Sequence, residues 1–337
     1  MSRITIQDIA RETGVSGSTV SRALRDDPRI SAKTIRDVKG AAARMGYVPN
    51  FGARDLRVGK TSLIGLILRD IRDGFCLEVI PSVEAACAEN NYSLLLCNAG
   101  ADQQTELDYL RVLLQRRVDG IILITPMTAI PDPYLRFRRE VPLVLVDIDV
   151  HDAPICAVSV DHTMGGCLST QHLLDLGHRR IAFLSGPLSL SSSLRSVEGY
   201  KSAMSAASIP IEEQIVILTD KTGIRDGYQA MLDIIKIRPR PTAVATFSDL
   251  MAAGALEAAR QSGLCIPGDI SIVGYDDIPL CSLLTPPLTT IKQNKEDLGA
   301  NAVELLLAEI HAKNHLHRQV LIPPSLVVRA STAPPAR

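Results

Sequence analysis

Residues 16–22 read Ser-Gly-Ser-Thr-Val-Ser-Arg, a stretch in which everything but Val20 is small or polar. Ser16, Gly17, Ser18, Thr19, Ser21 and Arg22 together make a surface that can lie close to a nucleic-acid duplex. Arg22 offers a planar fork of donors that matches guanine O6 and N7 with two hydrogen bonds. The hydroxyls of Ser16, Thr19 and Ser21 suit phosphate oxygens, contacts that set register without reading sequence. A second set of chemical groups lies further on. Asp70, Asp147, Asp276 and the pair Ser248-Asp249 each follow an apolar run, and Phe75 follows the first run. Carboxylates converging on one cleft suit a hydroxyl-rich ligand, because each accepts two or more O–H hydrogen bonds. An aromatic such as Phe75 can cover a sugar face. The alternative for each aspartate is a helix N-cap, a common use of Asp at strand-to-helix junctions.

Other chemistries find no support. Gly59-Lys60-Thr61 resembles the end of a phosphate-binding loop, but the required glycine five residues earlier is Arg54, and the triplet precedes a strand instead of following one. No nucleophile elbow, dinucleotide glycine fingerprint or metal-ligand spacing occurs, so no catalytic residue, metal or cofactor is expected. His178 sits at a helix-to-strand turn and reads as a cap. His311, His315 and His317 read as solvated surface. The seven cysteines stand singly, without a Cys-x-x-Cys pair, which fits a reducing cytoplasm better than a disulfide framework.

The elements that must position the first set are three short helices. Thr5 caps a helix over residues 5–13, with Asp8 completing a capping box. Gly14 supplies the left-handed residue that turns the chain. A second helix runs from about Ser16 to Leu24 with Val20 and Ala23 inward, and Asp26-Asp27-Pro28 stops it. Ser31 caps a third, ending near Met45 and Gly46, with Ile35, Val38, Ala42 and Met45 on its apolar side. The spacing Ala10-x3-Gly14-x5-Val20 is that of a helix-turn-helix, whose second helix enters the major groove. Charge agrees with this placement. The net −1 of the chain divides into +6 over residues 1–60, twelve Lys/Arg against six Asp/Glu, and −7 over the rest. A basic head on an acidic body points to a polyanion partner for the head alone.

The body alternates buried strand-like runs (62–68, 92–97, 120–124, 142–146) with amphipathic helices near 75–90 and 104–116. A second series follows, with strands 180–185, 215–218, 243–247 and 270–275 and helices near 163–176, 194–207, 224–236 and 250–262. Two βαβ series imply two subdomains with parallel sheets and a cleft where strand carboxyl ends meet. No stretch reaches the roughly 18 apolar residues of a membrane span, and no apolar leader opens the chain, so neither a membrane nor a secretory signal is expected.

Thr5 to Leu24, Gly46-Tyr-Val-Pro-Asn50, Gly177 to Leu184, Gly268 to Asp277 and Thr285 to Gln293 resemble the lactose/galactose-repressor (LacI/GalR) family, and the likeness extends to about residue 330. The resemblance implies an all-α helix-turn-helix head over 1–49, a hinge helix over 50–60, and a periplasmic-binding-protein-like α/β core over 61–330. The core would divide into an N-subdomain (61–160 plus 292–322) and a C-subdomain (162–289 plus 324–330), with crossings near 161, 289–292 and 322–325. It adds Thr5, Tyr47, Asn50, Ala53 and Leu56 to the DNA-binding set, with Leu56 as a minor-groove wedge beside Ala53. The expected molecule is a cytoplasmic homodimeric repressor of a palindromic operator, controlled by a sugar-like effector bound at Asp70, Phe75, Asp147, Arg195, Ser248, Asp249 and Asp276. The alternative is a sugar-binding receptor or sugar-acting enzyme on the same core. Three positions depart from the family pattern. Ser196 stands where arginine is frequent, with Arg195 one residue earlier. Ser248 replaces the usual Asn, and Asp73-Gly74 replaces Asn-Pro before Phe75.

Overall fold

A computed structural model describes residues 4–47, 60–100, 102–125, 130, 132–148, 154–311 and 317–336. Met1–Thr61 and Ser62–Arg337 form two compact units. Hinge positions Asn50, Ala53 and Leu56 lie outside the described residues.

In the first unit, α1 (Ile6–Thr13), α2 (Gly17–Ala23) and α3 (Ala32–Arg44) enclose a small core of Ile9, Val20, Ala23, Val38, Ala41 and Ala42. Local signals set each helix boundary. Thr5 and Asp8 form the reciprocal capping box of α1, and Gly14 ends that helix at φ 70°, a left-handed conformation that glycine reaches without a Cβ clash. Ser16 and Ser31 accept from Thr19 N and Thr34 N and cap α2 and α3.

The second unit contains two six-stranded sheets. The first holds β1 (Leu63–Leu68), β2 (Ser93–Asn98), β3 (Gly120–Ile124), β4 (Leu143–Val146), β5 (Cys156–Val160) and β11 (Gln319–Ile322) in the order β11-β5-β4-β3-β1-β2, all parallel. Its helices are α4 (Gly74–Glu89), α5 (Gln103–Gln115), α6 (Asp132–Phe137) and α11 (Lys295–His311). Strands β1, β3 and β4 are apolar along nearly their whole length, because helices cover both faces of the sheet. Hydrophobic clusters fill each side, one including α4 and α11 residues and the other α5 residues.

The second sheet holds β6 (Ile181–Ser185), β7 (Ile215–Leu218), β8 (Ala243–Thr246), β9 (Ser271–Asp276), β10 (Thr289–Lys292) and β12 (Ser325–Val327). Their order is β12-β10-β9-β8-β6-β7, with only β12 antiparallel. Helices α7 (His162–Asp175), α8 (Ser191–Ala206), α9 (Ile224–Lys236) and α10 (Asp249–Gln261) cover it. Helices α7 and α8 meet backbone to backbone: a Cβ at Gly166 would overlap the Ser196 carbonyl, and one at Gly199 would overlap that of Thr163. The chain passes between the sheets three times, after β5, after β10 and after β11.

His178 is buried at the turn from α7 to β6. Its ring bonds Thr242 Oγ1 (2.8 Å), Ser271 Oγ (3.1 Å) and the Ala333 carbonyl (2.9 Å), tying that turn to β8, β9 and the C-terminal segment. All seven cysteines are thiols. Cys156, Glu309 and His317 place their ligand atoms within 4.8 Å of one another. Burial pushes the Cys156 thiol up to about 11, and the Arg138 guanidinium lies against the His317 ring, so a cation already faces this group.

Candidate functional site: the helix-turn-helix surface and the intersheet cleft

The exposed side of α2 carries a compact hydroxyl cluster. Ser16 Oγ lies 2.8 Å from Ser18 Oγ and 2.9 Å from Thr19 Oγ1, and it accepts from Thr19 N at the helix N-terminus. Ser21 is engaged by Arg25, whose Nε donates to the Ser21 carbonyl at 2.8 Å. Arg22 is exposed on the same helix, and Gly17 is part-exposed at its start. Thr5 gives its hydroxyl and backbone N–H to Asp8, so its role in the head is to hold α1. Tyr47 packs against the head core. Several head cations are matched internally: Arg29 grips Asp27 with two N–H donors and holds that carboxyl below its ordinary range, and Lys39 pairs with Asp26. The Arg22 side chain projects from α2 as an exposed cation.

Between the two sheets lies a cavity of about 640 Å³ at the carboxyl ends of the strands. Asp70 follows β1, Asp147 follows β4, Ser248 follows β8, Asp276 ends β9 and Gln293 follows β10; all five line the cavity, with Phe75 at the start of α4. Asp147 and Asp276 hold positive φ, 64° and 117°. Such backbone costs about 1–3 kcal/mol for a non-glycine residue and persists where the surroundings over-determine it.

The carboxylates have distinct environments. Arg72 clasps Asp70 through two donors and lowers its pKa. Asp147 faces His162 Nε2 at 2.6 Å, and His162 Nδ1 lies 3.0 Å from the Tyr275 hydroxyl. Burial, with Asp276 and Asp147 nearby, raises the Tyr275 phenol well above its usual value, so that hydroxyl keeps its proton. Asp276 accepts from Gln293 Nε2 at 2.5 Å. Burial, reinforced by the Asp249 and Asp73 carboxylates, raises Asp276 well above the usual carboxylate range.

Two expected ligand residues stand elsewhere. Asp249 is wholly buried in the C-terminal half, where it accepts from Ile278 N (2.9 Å) and Thr290 Oγ1 (2.6 Å) and knits α10 to β10. Position 249 is one residue past Ser248, and that single step turns the side chain from the cavity into the core. Arg195 lies on α8, one-third exposed, and pairs with Glu198 one helical turn on; it does not line the cavity. Conversely, Asp73, His162, Tyr275 and Gln293 line the cavity without having been marked by type and spacing. For Gln293 a signal existed, since it follows a strand as Asp276 does.

Residues 5–50 match the bacterial regulatory proteins of the lacI family, and residues 170–332 match the periplasmic binding protein-like domain. The ribose operon repressor of Escherichia coli (strain K12) is 36% identical over 328 residues, covering 97% of this chain and 99% of that protein. The chain belongs to the lacI family of bacterial regulatory proteins. It is a DNA-binding transcriptional regulator. The HTH-type transcriptional repressor PurR of Vibrio atlanticus is 35% identical over 97% of this lacI-family chain and 98% of its own. Among solved structures, a Lac repressor dimer bound to operator and the anti-inducer ONPF superposes with a TM-score of 0.89 at 30% identity, covering 98% of this chain and all of that one. A LacI-family regulator from Enterococcus faecium with bound ribose gives 0.73 at 30% identity, over 81% and 99%. Among the described residues of this family member, no helix is long and apolar enough to cross a membrane.

Proposed function

We propose that two copies of this chain bind a palindromic operator as a repressor and that a sugar-like effector in the intersheet cleft weakens that binding. The observation that carries the reading is the cavity of about 640 Å³ lined from both sheets by Asp70, Phe75, Asp147, Ser248 and Asp276. It belongs to a chain whose other compact unit is a helix-turn-helix. In the head, Arg22 reads a base pair, the Ser16, Ser18 and Thr19 hydroxyls with Ser21 meet phosphates, and Gly17 lets the helix approach. Tyr47 and Asn50 extend the contact. Residues 50–60 form the hinge, with Ala53 beside Leu56 as the wedge. The core 61–330 senses the ligand through its two subdomains. Asp249 and Arg195 are left out of the ligand set. The ribose bound to the Enterococcus regulator supports a carbohydrate effector, and the Lac repressor dimer on its operator supports two heads on one duplex.

The cleft senses its ligand without turning it over, and the protein acts where its DNA is, in the cytoplasm. Closing the two subdomains on a ligand and re-setting the hinge is a coupling free energy between two sites. The test begins with full-length protein selecting duplexes from a random pool. A palindrome should emerge, bound by two chains, and some sugar should lower its affinity at least tenfold while being recovered unchanged. Enrichment of no palindrome would remove the operator claim; an affinity indifferent to a broad sugar panel would remove the effector claim.

A further inference from the structure

Resting on the reading of the cleft as the effector site, we propose that the effector carries an ammonium group, as an amine-bearing polyol such as an amino sugar does, seated between Asp73 and Asp276. The two carboxylates belong to opposite halves of the cleft. Asp73 caps α4 beside the first sheet, where its Oδ1 accepts from Phe75 N at 3.0 Å. Asp276 ends β9 of the second sheet. Both line the cavity, and Asp73 is among the charges that raise Asp276. Gln293 donates its amide N–H to Asp276, while its own Oε1, buried at the cavity wall, has no hydrogen-bond partner among the described residues. An ammonium has three donors and no acceptor to offer. Asp73, Asp276 and Gln293 Oε1 supply three acceptors for it.

The cations nearby are shared with other carboxylates. Arg72 is closed on Asp70. Lys295 directs its Nζ to the Asp277 carbonyl at 3.4 Å and faces the carboxylates Asp276 and Asp249 together. Lys221 is exposed at the rim beside Asp220 and Asp226. Arg69 acts on Asp70 as well as Asp73. A neutral hydroxyl can donate one hydrogen bond here but brings no charge to the two carboxylates, whereas a cation between them favours both charged forms.

The experiment is isothermal titration of the full-length protein with D-glucosamine, D-galactosamine and D-mannosamine against D-glucose, D-galactose, D-mannose and D-ribose. At least one amine should bind tenfold or more tightly than its hydroxyl twin. In Asp73→Asn, which keeps the helix cap, that margin should fall below threefold. A neutral sugar binding as tightly as its amine, or a margin unchanged in Asp73→Asn, overturns the ammonium assignment and leaves the cleft as a sugar site. Silence from all seven sugars overturns the ammonium assignment and the carbohydrate reading together.

Discussion

Asp147 and His162 meet at 2.6 Å, joining the end of β4 in one half of the core to the first residue of α7 in the other. His162 passes the connection on to Tyr275. Both acidic and phenolic partners are buried at the cavity wall, so the imidazole is a polar link between the two halves of the core.

Replacing that link should be felt in stability and in signalling. His162→Ala leaves the Asp147 carboxylate and the Tyr275 hydroxyl without their ring partner, a loss of about 2–3 kcal/mol for buried groups of this kind. Urea denaturation should show the lower midpoint. In the same variant the operator affinity without effector should stay within threefold of wild type, while the effector-induced change shrinks. A variant with unaltered midpoint and full response would show that the link carries neither.

Arg22→Ala should cost about 1–3 kcal/mol on the selected operator and relax discrimination at one base pair per half-site. Electrophoretic titration against single-base variants of the operator checks it. A uniform loss across all sequences would instead make Arg22 a phosphate contact.

Glycine positions predict opposite signs for one substitution. Gly199→Ala drives a Cβ into the Thr163 carbonyl, where only helix displacement relieves the overlap, and should destabilise the core by about 3 kcal/mol. Gly40→Ala lies within α3, where a Cβ meets only the end of the Arg44 side chain; it should stabilise the head by about 1 kcal/mol. Thermal melts of the two variants decide both claims.

His178 predicts a pH dependence. Its burial lowers its pKa, with His172 acting in the same direction and the Ala333 carbonyl opposing. The folded protein therefore holds this ring neutral where the unfolded chain protonates it. Stability from His178 is intact above about pH 6.5 and declines as pH falls below that value, by at most about 1.4 kcal/mol per unit. His178→Gln should show a shallower fall in urea midpoint between pH 7 and 5 than the parent. Parallel curves for the two proteins would contradict it.

The head was the most legible part, because caps and glycines act over three or four residues. Thr5 with Asp8, Gly14 and Ser31 each announced a boundary that the fold keeps. Buried strands such as β1 and β3 were legible as unbroken apolar runs. The short strands β5, β11 and β12 and the helix α6 were not, since a few residues such as Cys-Ala-Val-Ser-Val take their pairing from distant partners. Within the cleft, position was readable and orientation was not. Ser248 and Asp249 both follow β8, yet one faces the cavity and the other the core. His162 became visible only through Asp147 and Tyr275, contacts spanning 15 and 113 positions of sequence.

Each sheet takes an edge strand from near the end of the chain, β11 for one and β12 for the other, whereas the helical head has its own core by Thr61. This order has a temporal meaning during synthesis. At roughly 5–20 residues per second, the head is finished between about a quarter of a minute and a minute before either edge strand exists. A message truncated ahead of residue 319 thus encodes the helix-turn-helix unit with neither sheet of the core complete.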